Sequence, residues 1–233
     1  MRFFRHVRLV LLLLTALSLV SCGPTRRGDE RRDGNNNGGD SLSAPAEDEH
    51  NDEHGHDHDE GIQITTLALH FTDLSDGSTE TFVWADPEAD GAPVIDEILL
   101  WHGGSYLVEV EVWNELEDPV EDVTPEIADE AEEFQFFFTG FALEGPATGE
   151  NPGAIVQHRY QDSDANDLPV GLVNTMDALS PGSGELSVTL RHLPPEDGQS
   201  VKSAGLAESV AEGGFASIPG NSDIDVTFSL LAM

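Results

Sequence analysis

Residues 105–114 read Ser-Tyr-Leu-Val-Glu-Val-Glu-Val-Trp-Asn, and this decapeptide decides how the rest of the chain is read. Tyr106, Val108, Val110 and Val112 fall on one side of an extended backbone, and Glu109 and Glu111 fall on the other, the two-residue period of a strand. β-Branched and aromatic side chains suit a pleated, half-buried surface, so one face of this segment belongs in a core. Leu107 and Trp113 add apolar surface to the second face, which is therefore expected to be only partly wet.

The same pattern extends in both directions. Ile62 to Thr72 alternates Leu67, Leu69 and Phe71 against Ala68 and His70; the turn Ser75-Asp76-Gly77-Ser78 then returns the chain through Thr79 to Trp84, as in a hairpin. Val94 to Trp101 is a further strand, closed by Gly103-Gly104. Gln135 to Leu143 holds Phe136, Phe137, Phe138 and Phe141; it must be buried on both faces or lie beneath another element. Ala154 to Tyr160, Val170 to Met176, Glu185 to His192 and Asp223 to Leu231 complete the strand set, and the Gly/Ser/Pro-rich stretch from Leu193 to Ser222 reads as a long loop. Asp118 to Glu133 breaks the alternation. There Thr124 suits a helix cap, Pro125 a first turn, and Glu126 and Asp129 the positive helix end, so one short acidic helix is expected. Seven to nine short strands with turns between them predict a mainly all-β fold, an antiparallel immunoglobulin-like β-sandwich spanning residues 61–233.

The 233 residues carry a formal net charge of -35, and of ten basic residues only Arg159, Arg191 and Lys202 fall within that domain. So acidic a surface repels phosphates and anionic head groups, which excludes nucleic acid as a partner and favours cations or basic protein surfaces. The one cysteine, Cys22, leaves no internal disulfide and no CxxC site. Residues 1–21 have the build of a secretory signal: Arg2, Arg5 and Arg8, then an apolar run from Leu9. Leu19-Val20-Ser21-Cys22 resembles the lipobox of bacterial lipoproteins, which implies acylation of Cys22 and anchorage in a lipid bilayer, with the outer membrane as the expected location on its periplasmic or surface side. Residues 22–46 are rich in Gly, Asn, Asp and Arg, a composition expected of a flexible tether with a mean reach of roughly 25–30 Å.

Between tether and domain, residues 47–60 read EDEHNDEHGHDHDE, four histidines and eight carboxylates in fourteen positions. Imidazole and carboxylate in this density are ligands for a divalent ion, zinc foremost, and His50, His54, His56 and His58 with Asp57 and Asp59 are the candidate set. The competing reading is a solvated charged spacer. Asp162, Asp164 and Asn166 place oxygens at alternate positions, like the opening of a calcium loop, but the sixth-position glycine and twelfth-position glutamate of an EF-hand are missing. The turn Asp86 to Gly91 is similar, and Asx-rich turns also arise simply because their side chains bond the local backbone. His70, His102, His158 and His192 lie on or beside strands, where a lone histidine is usually exposed or hydrogen-bonded. With no nucleophile elbow, phosphate loop or HExxH motif, the chain is expected not to be an enzyme.

The segments ITTLALHFT (64–72), DPEADGAP (86–93), VWNELEDPVEDVTPEI (112–127), EEFQFFF (132–138), YQDSDANDLPVGL (160–172) and VTLRH (188–192) occur in this order. The combination resembles a family of small bacterial lipoproteins of unassigned function, sometimes labelled periplasmic-binding-like, over almost all of residues 62–233. Members often have a histidine where Phe134 stands, so no metal site is carried over to that position. The resemblance implies an accessory to an outer-membrane uptake receptor. The expected function is accordingly to bind or buffer a divalent metal for such a receptor; the alternative is a surface or periplasmic interaction and adhesion module whose acidic arm is only a spacer.

Overall fold

The computed structural model describes residues 62–233. Cys22 and the whole 47–60 segment lie outside the described residues. The fold is mainly β. Its strands are β1 (Thr66–Asp73), β2 (Thr79–Ala85), β3 (Val94–Ile95), β4 (Ile98–Leu100), β5 (Ser105–Asn114), β6 (Glu121–Asp122), β7 (Phe134–Thr139), β8 (Leu143–Glu144), β9 (Val156–Tyr160), β10 (Val173–Ala178), β11 (Gly182–His192) and β12 (Asn221–Ala232). Two helices interrupt them, α1 (Thr124–Asp129) and α2 (Leu206–Gly213), the latter followed by a 3-10 turn at Phe215–Ser217. One sheet runs β3-β2-β1-β5-β10-β9-β8, with β6 paired to the far end of β5, and the other runs β4-β12-β11-β7. Most pairings are antiparallel; β4–β12 and β8–β9 are parallel.

β5 sits at the middle of the larger sheet with the patterning its sequence dictates. Tyr106, Val108, Val110 and Val112 are buried while Glu109 is exposed and Leu107, Glu111 and Trp113 are half-buried. Each such side chain removed from water contributes roughly 2 kcal/mol of transfer free energy. These residues join Leu67, Leu69 and Phe71 of β1 and, from the smaller sheet, Phe136, Phe138, Leu186, Val188, Val226 and Phe228 in one apolar cluster.

β7 is buried along nearly its whole length, as its run of phenylalanines requires. Phe136 and Phe138 enter the shared core, and Phe137, pointing the opposite way, enters a second cluster with Leu193, Leu206, Val210 and Ile218. Covering Phe137 is the task of α2, which corrects the reading of Leu193 to Ser222 as a plain loop. Leu206, Ala207 and Val210 make a helical stripe one turn long, too short to stand out between flanking glycines, and Gly205 (φ 87°) and Gly214 (φ 69°) set its ends. Phe141, expected to be buried with its neighbours, is instead 86% exposed at the β7–β8 turn.

Val94 to Trp101 is not one strand either. The chain pairs with β2 through Val94 and Ile95, then leaves for the other sheet, where Ile98 to Leu100 run parallel to β12. Asp96 makes the switch: its N–H donates to the Val83 carbonyl at 2.9 Å, and its carboxylate accepts the Val83 N–H at 2.9 Å, standing in for the backbone acceptor that has moved away. Helix α1 begins where expected, but Val123 is its N-cap residue. The Thr124 hydroxyl accepts the Val112 N–H at 2.9 Å and so ties the helix start to β5, while Asp122 accepts the Thr124 N–H at 3.0 Å.

Candidate functional site

The acidic loop after β9 places its three candidate oxygen donors in defined roles. Asp162 accepts the backbone N–H groups of Gly171, Leu172 and Val173 at 2.8, 2.8 and 3.0 Å, and so holds the start of β10. Asp164 Oδ1 accepts from the Asn166 and Leu168 N–H groups at 2.8 and 2.9 Å, an Asx turn closed by its own side chain. Its other oxygen lies 3.0 Å from the ammonium of Lys202, and both side chains are sealed from solvent. Lys202 Nζ also donates to the Ala131 carbonyl at 2.7 Å, and Asn166 Nδ2 donates to Glu132 at 3.2 Å. The cation that neutralises Asp164 here is therefore the single lysine of the chain. Burial opposes ionisation of Asp164, but the Leu168 N–H, the Lys202 ammonium and the Asn166 N–H outweigh it and hold the carboxyl below its ordinary value. Burial lowers the Lys202 ammonium, with Asp164 opposing that drift. The second acidic turn follows the same logic: buried Asp86 accepts the Asp90 and Gly91 N–H groups at 3.1 and 2.9 Å.

Three of the four strand histidines have hydrogen-bond partners. His70 Nδ1 meets Thr81 Oγ1 at 2.9 Å and its Nε2 meets Glu111 at 3.0 Å, on the outer face of the larger sheet. His102 Nδ1 meets the Met233 carbonyl at 2.7 Å. His158 is buried in the core, its Nε2 3.0 Å from Asn174 Oδ1 and its ring 4.6 Å from that of Phe138. Burial pushes its pKa down to about 4, with the Asn174 bond only partly offsetting that, so the ring is neutral at physiological pH.

His192 belongs to a cluster that sequence reading missed. Its ring stacks on Phe134 at 4.7 Å, and Nε2 lies 3.9 Å from the Glu133 carboxylate. Next to it Arg191, also buried, donates to the Pro219 carbonyl at 2.8 Å and to Ser222 at 3.1 Å. Asp223 completes the group. Burial raises its pKa to about 6 although His192 and Arg191 favour its charged form. The local signal was the Arg-His pair ending β11, but its acidic partners come from β12 and from the residue before β7, which no spacing rule connects. Among the described residues no group of three or more His, Cys, Asp or Glu side chains is placed to hold a metal ion, and no helix is long and apolar enough to cross a membrane.

No family model, curated protein or solved structure matches this chain.

Proposed function

We propose that this protein is a lipoprotein anchored to the bacterial outer membrane through acylated Cys22, and that it binds or buffers a divalent metal, zinc foremost, for an uptake receptor. The metal would be held by His50, His54, His56 and His58 with Asp57 and Asp59. The observation that carries this reading is the concentration of donors: four of the nine histidines in the chain lie within nine residues, set among carboxylates, directly after a signal-like segment and a lipobox. The two-sheet architecture, which we read as an immunoglobulin-like sandwich, would serve as the docking body. A ligand set carried on a polar segment binds with modest affinity and fast exchange, which suits loading and buffering. Mass spectrometry of the membrane fraction tests the anchor: wild type should carry acyl chains on Cys22, and Cys22→Ser should leave the membrane, whereas an unmodified Cys22 removes the anchor from the account. Zinc titration of the full chain with and without residues 47–60 tests the metal.

A further inference from the structure

Strands β3 and β4 form the outer margin of the two sheets, one on each, within eight consecutive residues. Its apolar side chains are not covered by the described residues: Val94, Ile95, Leu99 and Trp101 are all exposed, Trp101 at 66%. In the parallel ladder with β12, Leu100 faces its partner and accepts the Met233 N–H at 2.9 Å. Successive residues of a strand address alternate sides, so the N–H and C=O of Leu99 face away from β12. Trp101 on that side already donates its N–H to the Tyr106 hydroxyl at 2.9 Å and accepts the Gly104 N–H at its C=O at 3.0 Å, which leaves Leu99 as the point where a further backbone can pair. Beside it lies a notch of about 50 Å³ lined by Phe71, Glu80, Leu99, Trp101 and Tyr106, room for the end of one apolar side chain.

Charge selects the occupant. Asp96 and Glu97 are exposed within the margin, Asp73 and Glu80 border the notch, and Glu88 and Asp90 lie on the preceding loop. Among the described residues Arg159 is paired with Asp177 at 2.7 Å, Lys202 is sealed against Asp164, and Arg191 is buried on backbone carbonyls, so the fixed cations are all engaged internally. A second copy of this chain would set acid against acid, and charges on an edge strand act against self-pairing. We propose that the 94–101 margin is a docking edge for a basic, extended segment of a partner protein. That segment runs extended beside β4 and pairs with the backbone of Leu99, lays alternate apolar side chains on Leu99 and Trp101, and turns its cations toward Asp96, Glu97 and Glu80. This inference does not depend on metal binding.

The test titrates the full chain with a synthetic nonapeptide of alternating lysine and valine, read by tryptophan fluorescence and by amide exchange at Leu99. Controls are the glutamate–valine counterpart and a version with proline replacing two valines. The expected result is saturable binding of the lysine–valine peptide, protection of the Leu99 amide, and at least a tenfold weakening in Leu99→Ser and in Trp101→Ser. Phe141→Ser, at a side chain more exposed than Trp101 but by the opposite edge of the smaller sheet, should bind like wild type. Both serine variants change exposed side chains, and far-UV circular dichroism confirms that they fold. No binding, equal binding of the proline peptide, or equal binding by Trp101→Ser would overturn the proposal, because attraction to general acidity needs no strand and no Trp101. Self-association of the peptide-free chain lost in Trp101→Ser would overturn it in favour of a second copy.

Discussion

Replacing Lys202 with methionine removes the one buried ammonium while keeping an apolar stem of similar length. Its side chain and that of Asp164 are 0% and 1% exposed, with 3.0 Å between Nζ and the carboxylate. Breaking a buried pair by removing one partner costs roughly 3–5 kcal/mol, because the other charge is left desolvated. Asp164 keeps the Asn166 and Leu168 N–H groups, which places the expected loss for Lys202→Met near the low end, about 3 kcal/mol. Asp164→Asn should cost a comparable amount by leaving Lys202 with only the Ala131 carbonyl. The double variant should be less destabilised than the sum of the two, by roughly 2 kcal/mol, since neither residual charge is then stranded. Urea unfolding of the four proteins at constant pH gives the numbers, and the slope of the transition should stay constant. A loss under about 1 kcal/mol for Lys202→Met, or strict additivity, would refute the reasoning that this pair organises the 162–173 loop. The same proteins address calcium. An ion on Asp162, Asp164 and Asn166 has to compete with the Lys202 ammonium, so any stabilisation by calcium should be larger in Lys202→Met than in wild type; equal shifts would place that calcium elsewhere.

Buried His158 and half-buried Asp223 give opposite pH signatures. His158 titrates near 6.5 when unfolded and near 4 when folded, so between those values the unfolded chain binds more protons. The stability it supports is complete above pH 6.5 and lost as pH falls, roughly 3 kcal/mol in full; His158→Gln should flatten this acid limb in urea unfolding between pH 7 and pH 4, and an unchanged limb would refute it. Asp223 runs the other way: its folded pKa of about 6 lies above the ordinary 3.8, so the folded state holds the extra proton and stability falls as pH rises through that window. Asp223→Asn should therefore stabilise the protein at pH 8 by about 1–2 kcal/mol, discounted for partial exposure, and change it little near pH 4; equal melting-temperature shifts at both pH values would contradict the assignment.

How far the sequence discloses this fold depends on how local the cause is. The alternation in Ser105–Asn114 needs only the two-residue period of a strand, and the structure places it at the centre of the larger sheet. Phe136, Phe137 and Phe138 announced burial on two faces, but not that α2 supplies the second cover, because the stripe Leu206, Ala207, Val210 is a single turn between glycines. Asp96 and Glu97 looked like polar residues within one strand; that the chain changes sheets there follows from the Asp96 contacts with Val83, a tertiary fact. The loop at Asp162 to Asn166 was legible as a set of oxygens. Its organising cation was not, since Lys202 lies far along the chain and reaches Asp164 only through the fold. The same holds for Glu133, His192 and Asp223, which three separate segments bring together.

Calorimetric titration of the purified full chain with zinc reads most directly whether the His50 to His58 cluster holds the metal. Zinc should bind saturably to the full chain, weaken at least tenfold when residues 47–60 are deleted or the four histidines become asparagine, and weaken steeply below about pH 6 as the imidazoles protonate. Equal affinity in the full chain and in the deletion, or negligible binding by both, would contradict it.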